Sequence, residues 1–150
     1  MSNLAPLTEA EVKQLAEDFY GGLDVHATTV ELLPLLDEEG LEMRFPEATL
    51  RGQIDFDRWY NGSILRTYFD EVHTFKQLEV TLNADRTLAE LKIVAVWEAS
   101  RWKSPAARSE RLMMEAHQTW TARRSPKTGK PVIVTYIVDS LDPLPGSVAL

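Results

Sequence analysis

The sequence predicts an α+β fold: three N-terminal helices packed on one face of a strongly bent antiparallel sheet, making a cone with a pocket inside. Three observations carry this. Helical periodicity ends by Tyr68. Four later segments alternate two faces with a period of two residues. Short polar stretches rich in turn formers join them into hairpins.

The first helix opens on a capping box. Thr8 supplies the N-cap hydroxyl and Glu11, three residues on, the carboxylate. Val12, Leu15, Ala16 and Phe19 then form one apolar stripe. The helix is expected to run to about Tyr20 and stop at Gly21 and Gly22. A second helix is expected from Thr28 or Thr29, with Pro34 tolerable only in a first turn. Leu41, Met43 and Phe45 alternate with Glu42 and Arg44, a short half-buried strand ended by Pro46. Asp55 is a plausible N-cap for a third helix, whose Phe56, Trp59 and Tyr60 share a face. Asn61 and Gly62 either break it early or let it continue to Tyr68.

Val72–Leu82 is a strand whose apolar residues change sides midway, which a bulge would absorb. After a turn at Asn83–Thr87 comes a long hairpin, Leu88–Trp120, bent at the loop Lys103–Ser109. Val132–Val138 is a last strand, rich in β-branched residues. Leu141–Leu150, with two Pro and one Gly, reads as a tail.

Composition limits the function classes. At 150 residues the chain is expected to be one domain, with its core in residues 8–140. With no Cys, disulfides, thiolate nucleophiles and Cys-based metal sites are excluded. The three His lie far apart, so no metal is expected, and no phosphate loop suggests a cofactor. A net charge of −7 argues against nucleic-acid binding. No apolar run reaches the ~18–20 residues of a membrane span, and a cytoplasmic location is expected. Charge is unevenly placed: residues 8–42 hold ten acids and one base, and residues 101–130 hold eight bases and two acids. Solvated loops account for this more simply than an anion-binding surface.

The order of these elements resembles the nuclear transport factor 2-like superfamily, nearest in flavour to its SnoaL-like polyketide cyclase and ketosteroid isomerase group. The resemblance covers Thr8–Ser140. It rests on Phe45-Pro46, on Leu50 to Gly52 leading into a helix, on Val96-Trp97, on Gln118 to Trp120, and on Gly129 to Val132 followed by Thr135 to Val138. It implies a cone-shaped α+β barrel of the cystatin-like type, often a homodimer through the outer sheet face, with a pocket for a small apolar molecule. Isomerases of the family use a Tyr late in the first helix, an Asp before the Pro that ends the first strand, and an Asp on the strand matching 111–122. Here those positions carry Phe19, Phe45 and Gln118, so isomerase chemistry is not expected. Tyr20 stands one residue from the matching Tyr.

Placed in that cone, the hairpin divides into two surfaces. Leu91, Ile93, Ala95 and Trp97 face inward beside Met114, Ala116, Gln118 and Trp120. Lys92, Val94, Val96, Glu98, Met113, Glu115, His117 and Thr119 face outward, a mixture that suits a homodimer interface. The expected ligand-binding set is Phe19, Tyr20, Phe45, Trp59, Leu91 and Ile93, with Trp97, Met114, Gln118 and Trp120. Gln118 either pairs with a neighbour or reaches a ligand. His73 is the candidate catalytic residue, near Asp70 and Glu71 in sequence. The leading reading is a domain that binds a small hydrophobic molecule without an assignable catalytic set. The alternatives are a lyase, hydratase or cyclase using His73 as base with Tyr20, Tyr60 or Tyr68 as donor, and an assembly domain whose cavity is filled by its own side chains.

Overall fold

The computed structural model describes residues 4–150. Helix α1 spans Glu9–Asp24, and the Thr8 hydroxyl accepts the Glu11 amide at 3.2 Å. Its stripe of Val12, Leu15, Ala16, Phe19 and Tyr20 is buried. The helix does not stop at Gly21-Gly22 as expected; it passes through both and ends at Asp24. The reason is steric. A Cβ on Gly22 would lie 2.6 Å from Leu32 Cδ2, so this glycine permits a close approach of the following segment. That segment is α2, Thr29–Leu32, continued by a tight turn at Leu33–Leu35 that holds Pro34 in its first positions.

Strand β1, Glu42–Arg44, pairs with an unanticipated β2, Thr49–Arg51. Helix α3, Gly52–Trp59, starts earlier than expected. Asp55 is therefore not its N-cap; its carboxylate reaches back to the Arg51 amide at 2.8 Å. Asn61 and Gly62 do not break the helix. They sit in a wide π-turn, Tyr60–Ile64, that leads into α4, Leu65–Thr67.

Four long strands follow: β3 Tyr68–Leu82, β4 Ala89–Arg101, β5 Glu110–Arg124 and β6 Pro131–Pro143. The sheet is curved and six-stranded, in the order β2-β1-β6-β5-β4-β3. It stays open rather than closing into a barrel, with β2 and β3 as edges. The long strands are antiparallel, as expected, but β1 lies parallel to β6.

The expected bulge is in β3. Its register against β4 shifts between Phe75 and Gln77, leaving Lys76 without a partner. The extra residue brings His73, Phe75, Leu78, Val80 and Leu82 opposite Trp97, Ala95, Ile93, Leu91 and Ala89, all on the concave side. In the hairpin, Leu91 faces Trp120, Ile93 faces Gln118, Ala95 faces Ala116 and Trp97 faces Met114, the expected inner set. Residues Leu141–Leu150 are not a loose tail. Leu141 lies in β6, the Leu144 and Val148 amides bond to the Met113 and Arg111 carbonyls, and Ser147 Oγ accepts the Met113 amide.

The two oppositely charged segments meet. Arg123 pairs with Asp37, Arg124 with Glu11 and Lys127 with Glu38. Arg124 also donates to the Ala5 and Pro6 carbonyls, tying the N-terminal segment to the end of β5. Among the described residues no helix is long and apolar enough to cross a membrane.

Candidate functional site

Between α1, the α3–α4 helical segment and the concave sheet lies a cavity of about 100 Å³. On this measure one water needs roughly 10–15 Å³, so the side chains leave room for several waters rather than filling the cone. Of the expected binding residues, Phe19, Tyr20, Phe45, Trp59, Trp97 and Gln118 line it, together with His73. Leu91, Ile93, Met114 and Trp120 do not border it. They are buried; Leu91, Ile93 and Trp120 belong to the core, where Trp120 meets Phe19 and Tyr20 edge-on. Periodicity reported that these four face inward but not how deeply α1 covers the sheet. Met43, Tyr68, Glu71, Tyr136 and Val138 also line the cavity and were not singled out as binding residues.

His73 is held by a residue that the sequence did not single out. Asp24 Oδ2 accepts the His73 backbone amide at 3.0 Å, and its Oδ1 lies 2.5 Å from Nδ1. A carboxylate can only accept, so Nδ1 carries the proton, and in the neutral ring Nε2 then holds the lone pair. Nε2 has no hydrogen-bond partner among the described residues. The ring stacks on Tyr20 with centroids 4.2 Å apart. The expected neighbours Asp70 and Glu71 are not the partners of His73. Asp70 takes a left-handed φ of 51° where the β3–β4 register shifts between Phe69 and Val72. Glu71, 6% exposed, accepts Trp97 Nε1 at 3.1 Å and bonds His26 Nε2 at 2.6 Å.

Gln118 is hydrogen-bonded at both ends of its amide. Its carbonyl accepts Trp120 Nε1 at 2.9 Å, and its amide donates to Tyr20 Oη at 2.6 Å. Tyr20 Oη in turn lies 3.3 Å from Tyr136 Oη. Burial pushes the pKa of both phenols up, keeping them protonated. The chain of bonds from Trp120 through Gln118 thus ends in two neutral hydroxyls lining the cavity. Tyr60, another candidate donor, is already committed to the Ala27 carbonyl at 2.8 Å, and burial pushes it up to about 12. Tyr68 packs edge-on to Trp97. Trp59 stacks on Phe45 at 4.3 Å, and its buried indole N–H has no acceptor among the described residues. Leaving such a donor unpaired costs about 1–3 kcal/mol. No group of three or more metal-ligating side chains occurs among the described residues.

No family model and no curated protein matches the chain. Solved structures do. A hexachlorocyclohexane dehydrochlorinase (LinA) type 2 superposes with a TM-score of 0.74 at 14% identity, covering 94% of this chain and 92% of its own. A proposed scytalone dehydratase from Novosphingobium aromaticivorans gives 0.69 at 14% identity over 94% and 88%. A nuclear transport factor 2-like superfamily protein from Salmonella enterica gives 0.70 at 11% identity over 93% and 91%. At these identities the likeness establishes the fold.

Proposed function

We propose that this chain, a nuclear transport factor 2-like fold with a histidine fixed in its cavity, is a lyase acting on a small ring-bearing molecule. The observation that carries this reading is the double hold of Asp24 on His73. It orients the ring, sets the tautomer and leaves Nε2 as a base. In the elimination, Nε2 takes a proton from carbon. The C–H electron pair becomes the new carbon–carbon double bond, and the leaving group departs with its own bonding pair. Asp24 stabilises the imidazolium that forms. Whichever of the Tyr20 and Tyr136 hydroxyls does not donate to the other, and the N–H of Trp59, are donors for an acceptor atom on the ligand. Two neighbours in fold, the dehydrochlorinase and the proposed dehydratase, are named for eliminations, which supports the class and not the substrate.

A binding domain without turnover is the second reading. It is favoured by Gln118, which occupies the position where the resembling isomerases keep an acid and is bonded to Tyr20 and Trp120. Ring opening of a nitrobenzisoxazole, a proton-abstraction probe followed by its coloured phenolate, separates the two. Turnover is expected above that of free imidazole. It should fall by roughly 10²–10⁴ in His73→Ala, the usual contribution of a positioned base, and by a smaller factor in Asp24→Asn. Wild-type turnover no faster than imidazole, or unchanged in His73→Ala, leaves the binding reading in place.

A further inference from the structure

Three features of the cavity wall fix the charge of its occupant. The wall includes Glu47 and Glu71 and no Lys or Arg. Its aromatic residues include Tyr20, Trp59, Tyr68, Trp97 and Tyr136, and Trp97 is in contact with Glu71. And Glu71 is the buried carboxylate without a strong cation. Buried Asp37 has Arg123, and buried Arg124 has Glu11, but Glu71 has only a neutral indole and His26, itself 29% exposed.

The pose of Glu71 is built in at the expense of the backbone. Asp70, immediately before it, and His26, bonded to it, are both non-glycine residues in the left-handed region, at φ 51° and 52°. Such conformations each cost of the order of a few kT and persist where surrounding structure imposes them. Here the two converge on one carboxylate. Buried charge is normally paired. A cavity with a buried carboxylate and aromatic residues in its wall, and no Lys or Arg, favours a cation over an anion.

We propose that the cavity selects a ring carrying a protonated amine over its anionic counterpart, with Glu71 as the counter-charge. This rests on the lyase reading only for the location of the site. A ring of benzene size suits the space, and the amine approaches Glu71 while the ring lies against the aromatic wall. His26 competes with the ligand for the same carboxylate.

Benzylamine, benzyl alcohol and benzoate share one shape and carry charges of +1, 0 and −1, so their dissociation constants, read from the tryptophan indole resonances, test the proposal. Benzylamine should bind at least about tenfold tighter than benzoate, with the alcohol between them. Glu71→Gln, which keeps an acceptor for Trp97, should erase the advantage of the amine over the alcohol and leave alcohol binding within about twofold. His26→Gln should strengthen amine binding, because it frees the carboxylate. Benzoate binding as tightly as benzyl alcohol, or an amine-to-alcohol ratio unchanged in Glu71→Gln, overturns the proposal. The two readings fail separately: His73→Gln abolishes nitrobenzisoxazole opening and keeps the amine preference, whereas loss of the preference leaves the Asp24–His73 base in place.

Discussion

Gly21 and Gly22 are neighbours in one helix with opposite roles. Gly21 is exposed and a Cβ there meets nothing within 4 Å, while a Cβ on Gly22 strikes Leu32. Gly21→Ala should therefore stabilise the protein by about 0.5–1 kcal/mol through helix propensity. Gly22→Ala should destabilise it by about 1–3 kcal/mol through overpacking against Leu32. Urea denaturation of the two variants measures both; the same sign for both would contradict the packing described. The pair also explains why half of the candidate dyad was hidden. His73 was legible as a candidate because its place in the order of elements points it into a cone. Asp24 was not, because reading the two glycines as a stop removed it from the helix. Its partner is 49 residues away, beyond the reach of any local pattern. Once α1 continues, Asp24 falls one turn beyond Tyr20, on the same side.

At the scale of the element, β3 carries the clearest dependence of site on register. Lys76 is exposed and its ammonium meets only Glu115, so Lys76→Ala should change stability by less than about 1 kcal/mol. Deleting Lys76 removes the bulge and leaves His73, Phe75, Leu78, Val80 and Leu82 alternating without a break, all still on the concave face. Both variants should retain cooperative unfolding and nitrobenzisoxazole opening; a deletion variant that fails to fold would contradict the register described. The switch of apolar residues from one side of this strand to the other was readable from the sequence because period-two alternation is a local property. The hairpin faces were readable for the same reason. The extent of β6 and the path of Leu144–Leu150 were not: their order comes from Met113 and Arg111 amide and carbonyl groups on another strand.

Across the whole molecule, the order of elements was enough to place helices on one face of a bent sheet. It was not enough to show that the sheet stays open at β2 and β3, or that β1 joins β6 in parallel. The outer face of the hairpin bears Val94 and Val96, partly exposed, beside the Lys76–Glu115–His117 cluster. Met113, the third apolar residue expected there, is in part covered by the chain itself, since a Cβ on Gly146 would lie 3.3 Å from Met113 Cε. We propose that this face joins two copies. Light scattering should give twice the chain mass of 17.0 kDa, and Val96→Glu should halve it. A wild-type monomer at high concentration would rule the interface out.

The bulge in β3 has one more consequence. An open sheet ends in unpaired amides and carbonyls, and β3 offers fifteen residues of them along one edge. A straight strand of that length is a template on which further chains can stack into fibres. The register shifts at Phe69/Val72 and Phe75/Gln77 break the edge into short runs, the second marked by a lysine. The residue that aligns the cavity wall thus also interrupts the edge on which another strand could pair.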